Sequence, residues 1–250
     1  MRLGALLGPV TAPSQPDFIA RQARMLQSAG YSSLWSAQAI GRGFMITDPF
    51  VALSTAAAVT EGVELGTAVV QASLYHPADL AHRILSLSQV AGDRLIMGLG
   101  AGSTEADFKT YDRDYATRFS TFRSMMGPVR GFLDSGQSGD TQLSPWPDVL
   151  GRVKVFLGTW GKGVERAARE FDGWIASGHY RTPRDVAESL RRYRAAGGGR
   201  AIVSTLILNK ATDTGELKER LQTFAAAGFD DAVVMFHPGA PDVDTVRRLL

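Results

Sequence analysis

Cysteine is absent from the 250-residue chain, which excludes disulfides, thiolate metal sites and a cysteine nucleophile. An excess of one charge is missing too, since 27 Lys and Arg stand against 25 Asp and Glu. No basic stripe interleaves with aromatics, so nucleic acid is not an expected partner. No apolar run approaches the length that spans a bilayer, and Met1–Gly8 is too short for a signal-peptide core before Pro9 interrupts it. There is no H-E-x-x-H, no P-loop and no metal-ligand cluster, and spacing isolates no Ser/His/Asp set. These absences leave the expectation of a cytoplasmic, well-cored protein, with 44% hydrophobic and 21% charged residues.

What the chain does have is alternation. Val63–Val70 reads as a buried strand, rich in β-branched residues and nearly uncharged. After the turn Gln71–His76, Pro77 opens a helix where a missing N–H matters least. Leu80, Ala81, Ile84, Leu87 and Ser88 share one face of it, and Gly92 follows as its C′ residue. Arg94–Gly100 is a second buried strand, so the unit is strand–helix–strand with parallel strands. Further strands are expected at Arg2–Gly8, Ser33–Ser36, Val153–Gly158, Gly173–Ala176, Ala201–Leu208 and Ala232–Phe236. Helices are expected from Phe18 to Ala29, after the Asp48-Pro49 cap, over Val164–Phe171, after Thr182-Pro183, through Leu217–Phe224 and over Val243–Leu250. Eight such alternations with right-handed crossovers close into a TIM (β/α)8 barrel, read as a single α/β domain over 1–250. Residues 104–150 break the rhythm with a polar loop, a helix over Phe119–Leu133 and a Gly/Ser/Pro-rich stretch, Ser135–Pro147. That length reads as an insertion after strand four, over the barrel mouth.

Chemistry in such a barrel sits at the C-terminal ends of the strands. Gly98-Leu99-Gly100-Ala101-Gly102 has G-x-G-x-G spacing with no helix expected immediately after it, so a Rossmann reading fails its own context. Its glycines suit a ligand lying flat against bare backbone at Gly100, Ala101 and Gly102, or simply a tight turn. Gly158-Thr159-Trp160-Gly161-Lys162-Gly163 precedes a helix, so free N–H groups, a hydroxyl and a cation suit a phosphate; a flexible turn with a solvated lysine is the plainer alternative. His76 reads as a helix-entry residue and His82 as structural, while His179 and His237 follow strands six and eight. Trp35, Trp160 and Tyr180 either stack on a planar ring or serve as core.

Leu65-Gly66-Thr67-Ala68-Val69-Val70, His76-Pro77, Ala81, Leu87, Gly92–Leu95 and Gly98–Gly102, in that order, resemble the bacterial luciferase-like monooxygenase family. Trp35 ahead of Asp48-Pro49-Phe50, and Phe156–Gly158 ahead of Phe171-Asp172-Gly173-Trp174, extend the resemblance over nearly the whole chain. It implies a barrel oxidoreductase that binds FMN or the deazaflavin coenzyme F420, commonly as a homodimer. It also implies a bulge with a non-prolyl cis peptide at Ala68–Val69 that backs one face of the ring and leaves the other for substrate. The Ala- and Arg-rich composition is similar to that of members using F420, so the expected activity is hydride transfer between F420 and a small organic substrate. The alternatives are an FMN-dependent monooxygenase fed by a separate reductase, a flavoprotein-like binder without turnover, and a flavin-free sugar-phosphate isomerase with Lys154 as its inward lysine. Ser36-Ala37-Gln38-Ala39 stands where similar F420-dependent dehydrogenases carry an acidic residue and a histidine. Gln38 can hydrogen-bond but cannot exchange a proton near neutral pH, which leaves Glu105, Asp107 and His237 as candidates. Substrate specificity is expected in the loops at 36–47 and 104–150.

Overall fold

The computed structural model describes residues 1–8 and 15–250, so the expected loop prolines Pro9 and Pro13 lie outside the described residues. Eight parallel strands form the ring: β1 (Arg2–Leu6), β2 (Ser33–Ser36), β3 (Glu64–Thr67), β4 (Leu95–Gly100), β5 (Lys154–Gly158), β6 (Gly173–Ser177), β7 (Arg200–Leu208) and β8 (Asp231–Phe236). Their order is β3-β2-β1-β8-β7-β6-β5-β4, and pairing of Leu65 with Leu95 and Gly66 with Ile96 closes it. The chain folds as the expected TIM barrel.

Outside the ring lie α1 (Phe18–Ser28), α2 (Pro49–Val59), α3 (Pro77–Ala91), α4 (Glu105–Thr110), α5 (Arg118–Ser135), α6 (Gly163–Glu170), α7 (Pro183–Ala195), α8 (Thr214–Ala227) and α9 (Val243–Arg247). Local chemistry sets their starts. Asp48 accepts from the Phe50 amide at 2.9 Å with Pro49 at the first helical position. Thr182 and Asp185 form a capping box on α7. His76 accepts from the Ala78 amide through Nδ1 at 3.3 Å, the helix-entry role expected of it.

Alternation along each strand sorts the core into two shells. Leu6, Trp35, Ile96, Phe156, Ile175, Ile202 and Val233 fill the ring, while Leu3, Leu34, Leu65, Met97, Leu157, Trp174, Val203 and Val234 face the helices. Gly4, Gly66 and Gly173 are inward too, and each leaves room for a ring: Trp35 over the first two, Phe156 over the third. Trp35 is therefore interior filling, its Nε1 donating to Ser33 Oγ at 2.8 Å, and it is not available to stack on a ligand.

Three departures from the expected pattern matter at the mouth. Strand three is not continuous: it stops at Thr67, passes the cis bond Ala68–Val69, and resumes pairing at Val70–Gln71 before a 3-10 turn, Ala72–Leu74. A short helix, α4, does begin at Glu105, close behind the glycine cluster, where the reading from sequence expected a loop. The connection from β4 to β5 also contains α5, which packs beside α3 as the barrel's crossover helix, and a small hairpin pairing Gln137–Ser138 with Thr141–Gln142. Neither α4 nor the hairpin has enough apolar periodicity to be read from sequence.

Candidate active site

At the C-terminal rim the inward positions become small along one side. Register pairs Leu6 with Trp35 and Ser36 with Thr67, and β1 with β8 through Ala5 and Val234. Continuing those registers places Ala68, Ala37, Gly8 and His237 in one row. On the other flank, Gly98 and Gly100 of β4 and Gly158 of β5 face inward. A Cβ at Gly98 would run into the Thr67 carbonyl, one at Gly158 would stand 2.5 Å from Val69 Cγ1, and one at Gly100 would stand 3.0 Å from Val69 Cγ2. The glycines at 98, 100 and 158 thus seat the backbone and the Val69 side chain of the bulge. Ala37, Ala68 and Val69 pack on the interior cluster from above, making a low floor.

The wall made by β2, β3 and α4 is a closed hydrogen-bond network. Gln38, 6% exposed, accepts from the Gln71 amide at 2.8 Å and donates through Nε2 to Tyr75 Oη at 2.7 Å. Burial pushes the Tyr75 phenol up to about 12, and the charge of Asp48 adds to it, so it stays a neutral partner. Asp107, 0% exposed, accepts from Gln71 Nε2 at 2.6 Å, from Arg42 Nε at 2.9 Å and Nη2 at 2.5 Å, and from the Ile40 amide at 3.2 Å. Gln38 and Asp107 are therefore joints between loops, with their polar atoms occupied, and neither is poised for proton transfer. Glu105 stands exposed at the start of α4. Arg42, Gln71 and Tyr75 escaped the reading from sequence. The only signal for Arg42 was its position between Gly41 and Gly43, both in the left-handed region.

The turn from Gly158 to Gly163 is built as a tight loop. Thr159 gives its carbonyl to Trp174 Nε1 at 3.1 Å, and its side chain folds over Gly163, where a Cβ would collide with Oγ1. The Gly163 and Val164 amides donate back to the Trp160 and Gly161 carbonyls at 3.1 and 3.3 Å. Glu165 sits in the first turn of α6; its own backbone N–H and the Arg192 guanidinium hold its carboxyl below the ordinary range. Arg192 lies 2.6 Å from that carboxylate and donates to the Gly161 carbonyl at 3.1 Å. Lys162 is exposed, and Gly161, at φ 60°, has no heavy atom within 4 Å of where a Cβ would stand. Trp160 lies under Arg181, 4.7 Å from its ring centroid, in a cleft of about 270 Å³ facing α7. Tyr180 is 63% exposed and meets only the edge of His179.

His237 follows β8, its amide donating to the Leu208 carbonyl at 2.8 Å. Its Nε2 is buried with no hydrogen-bond partner among the described residues, as is Ser204 Oγ on β7. Lys154 begins β5 at the opposite end of the barrel, which removes it as a mouth residue. Among the described residues no cluster of three His, Asp or Glu side chains could hold a metal, and no helix is long and apolar enough to cross a membrane.

Comparison with known proteins adds to this geometry. The family model for luciferase-like monooxygenases matches residues 2–240. A 4-hydroxyprotoasukamycin monooxygenase of Streptomyces nodosus subsp. asukaensis is 33% identical over 126 residues, half of this chain but only 33% of that enzyme's length. A 5,10-methylenetetrahydromethanopterin reductase of Methanolobus tindarius is 25% identical over 90% of this chain and 72% of its own. The fold is shared with a solved F420-dependent secondary alcohol dehydrogenase in complex with an F420–acetone adduct, at TM-score 0.78 and 14% identity, covering 100% of this chain and 98% of the other.

Proposed function

Because the chain belongs to the luciferase-like monooxygenase family, we propose that it is an oxidoreductase moving hydride between coenzyme F420 and a small organic substrate. The observation that carries this reading is the low floor at the rim, where Ala37, Ala68, Val69, Gly100 and Gly158 leave room for a flat tricycle. Ala68 and Val69 back the ring, and Gly100, Ala101 and Gly102 border it. The turn Gly158, Thr159, Trp160, Gly161, Lys162 and Gly163 reaches its phosphate, with Lys162 as the cation. When bound, the deazaflavin supplies a two-electron hydride carrier; the protein supplies orientation and exclusion of water.

The reductase relative aligned over 90% of the chain and the fold shared with an F420-dependent dehydrogenase favour F420. The 33% identity to a monooxygenase favours a second reading, an FMN-dependent monooxygenase fed by a partner reductase. Titration of the purified protein with F420 and with FMN, followed by quenching of cofactor fluorescence, separates them. F420 binding the tighter supports the first reading, and FMN the second. Binding of neither overturns both, and tight binding without oxidation of any screened substrate favours a carrier without turnover. The homodimer implied by the family resemblance belongs to the same proposal and is checked by light scattering.

A further inference from the structure

In the strand order β3 and β7 are diametrically opposed, and β8 is three strands from β3. A ring backed by Ala68 and Val69 therefore faces the wall made by β7 and β8. The inward residues of that wall near the rim are Ser204, Ile207, Met235 and His237. Ile207 and Met235 are apolar and rest on the interior cluster. Ser204 and His237 each hold a buried polar atom, Oγ and Nε2, with no partner among the described residues. An unpaired buried polar group is rare in a folded chain and asks for a hydrogen-bonding partner. At β2, where an acid–base pair would otherwise be sought, Gln38 is consumed by Gln71 and Tyr75. Among the inward rim residues, Gly8, Ala37, Ala68, Val69, Gly100 and Gly158 have no proton to exchange, and Ser177 and Ser204 offer only hydroxyls. Histidine is the one side chain in that layer suited to proton exchange near neutral pH.

We propose that His237 is the acid–base catalytic residue, and that the β7–β8 wall takes a small uncharged alcohol or the matching carbonyl compound. The inference rests on the flavin-type ring proposed above. An uncharged substrate follows from the layer itself, because no Lys, Arg, Asp or Glu occupies an inward rim position of the eight strands among the described residues. In the oxidising direction the substrate's carbinol C–H breaks and its hydride leaves to the bound deazaflavin. The hydroxyl proton passes to His237 Nε2 as the carbon–oxygen double bond forms. The substrate loses two electrons, the cofactor gains two, and the imidazolium returns its proton to water; reduction of a carbonyl runs the same steps backwards.

The test uses protein labelled with 15N-histidine and loaded with F420, titrated with a panel of small secondary alcohols and ketones, cyclohexanol and cyclohexanone among them. Sodium acetate is the anionic control. The Nε2 resonance of His237 should move with at least one neutral member and stay still with acetate. With the member that binds best, His237→Ala should lower kcat by about 100-fold or more and KM by less than about threefold, with partial rescue by added imidazole and unchanged F420 affinity. If His237→Ala does not fold, His237→Asn and the resonance of the unmodified protein carry the test. The proposal is overturned if no neutral member moves the resonance, if none is turned over, or if kcat survives the substitution. Failure of F420 to bind the unmodified protein overturns instead the reading on which it rests.

Discussion

At the end of the barrel where the strands begin, charged groups close on one another. Arg200 reaches across the ring to Glu64 at 2.7 Å and to Asp231 at 2.8 Å, and Arg2 meets the same two carboxylates at 3.1 and 2.9 Å. At the end where the strands finish, the inward layer is small or apolar, and His237 Nε2 and Ser204 Oγ stay unpaired. One end is saturated; the other holds polar capacity in reserve. In a barrel this division separates the face that supports the fold from the face that does chemistry. It also explains why Lys154, among the starting residues, cannot serve the mouth.

The largest effect should come from opening the saturated end. Asp231 is 0% exposed, so Asp231→Ala leaves two arginines without their buried carboxylate and should destabilise the fold by about 3–5 kcal/mol. Urea unfolding measures it, and cofactor affinity of the protein that remains folded should be unchanged. A loss below about 1 kcal/mol would mean that the network decorates the barrel end without holding it. Next in size is the one saturated patch at the mouth. Asp107→Ala strips Arg42, Gln71 and the Ile40 amide of their shared acceptor and should remove about 2–4 kcal/mol. Here the loss should be local, read as faster proteolysis between Gly41 and Gly43 with less change in the urea midpoint than Asp231→Ala gives.

These two carboxylates also mark how far sequence reading reached. The eight strands were legible because their apolar runs are separated by proline-opened helices and glycine stops, a local signal that long-range packing did not override. The break after Thr67 was legible only by resemblance, since nothing in Leu65–Val70 itself announces it. Asp107 looked like a solvated loop acid because its partners, Arg42 and Gln71, lie 65 and 36 residues away in the chain. Such pairing has no periodicity to betray it. The glycines of β4 and β5 were visible, but their reason was not. The Val69 side chain that needs them comes from a different strand.

Smaller effects sharpen the contrast within the mouth. Gly158→Ala puts a Cβ 2.5 Å from Val69 Cγ1, which should shift the bulge, cost about 1–3 kcal/mol and weaken cofactor binding together. Gly161→Ala meets no neighbour but must hold φ 60°, so a loss of about 1–2 kcal/mol is expected from the backbone alone. If the turn holds phosphate, cofactor affinity should fall there as well, and a titration giving equal affinities for Gly161→Ala and the unmodified protein would remove the turn from the site.

The smallest expected effect lies in the pH response of the saturated end. Burial alone would raise the Glu64 carboxyl, but the hydrogen bond and charge of Arg200, with the charge of Arg2, outweigh it and hold the group below its ordinary 4.5. A carboxyl depressed in the folded state contributes stability that is present above its unfolded pKa and is lost as pH falls through the folded one. Stability should therefore decline on acidification below about pH 4.5, and Glu64→Gln should flatten that decline while lowering stability near neutral pH by about 1 kcal/mol or less. Since Glu64 and the rim lie at opposite ends of β3, cofactor affinity in Glu64→Gln should match the unmodified protein. A change there would mean that β3 transmits strain along its length, and the two ends could no longer be treated as independent.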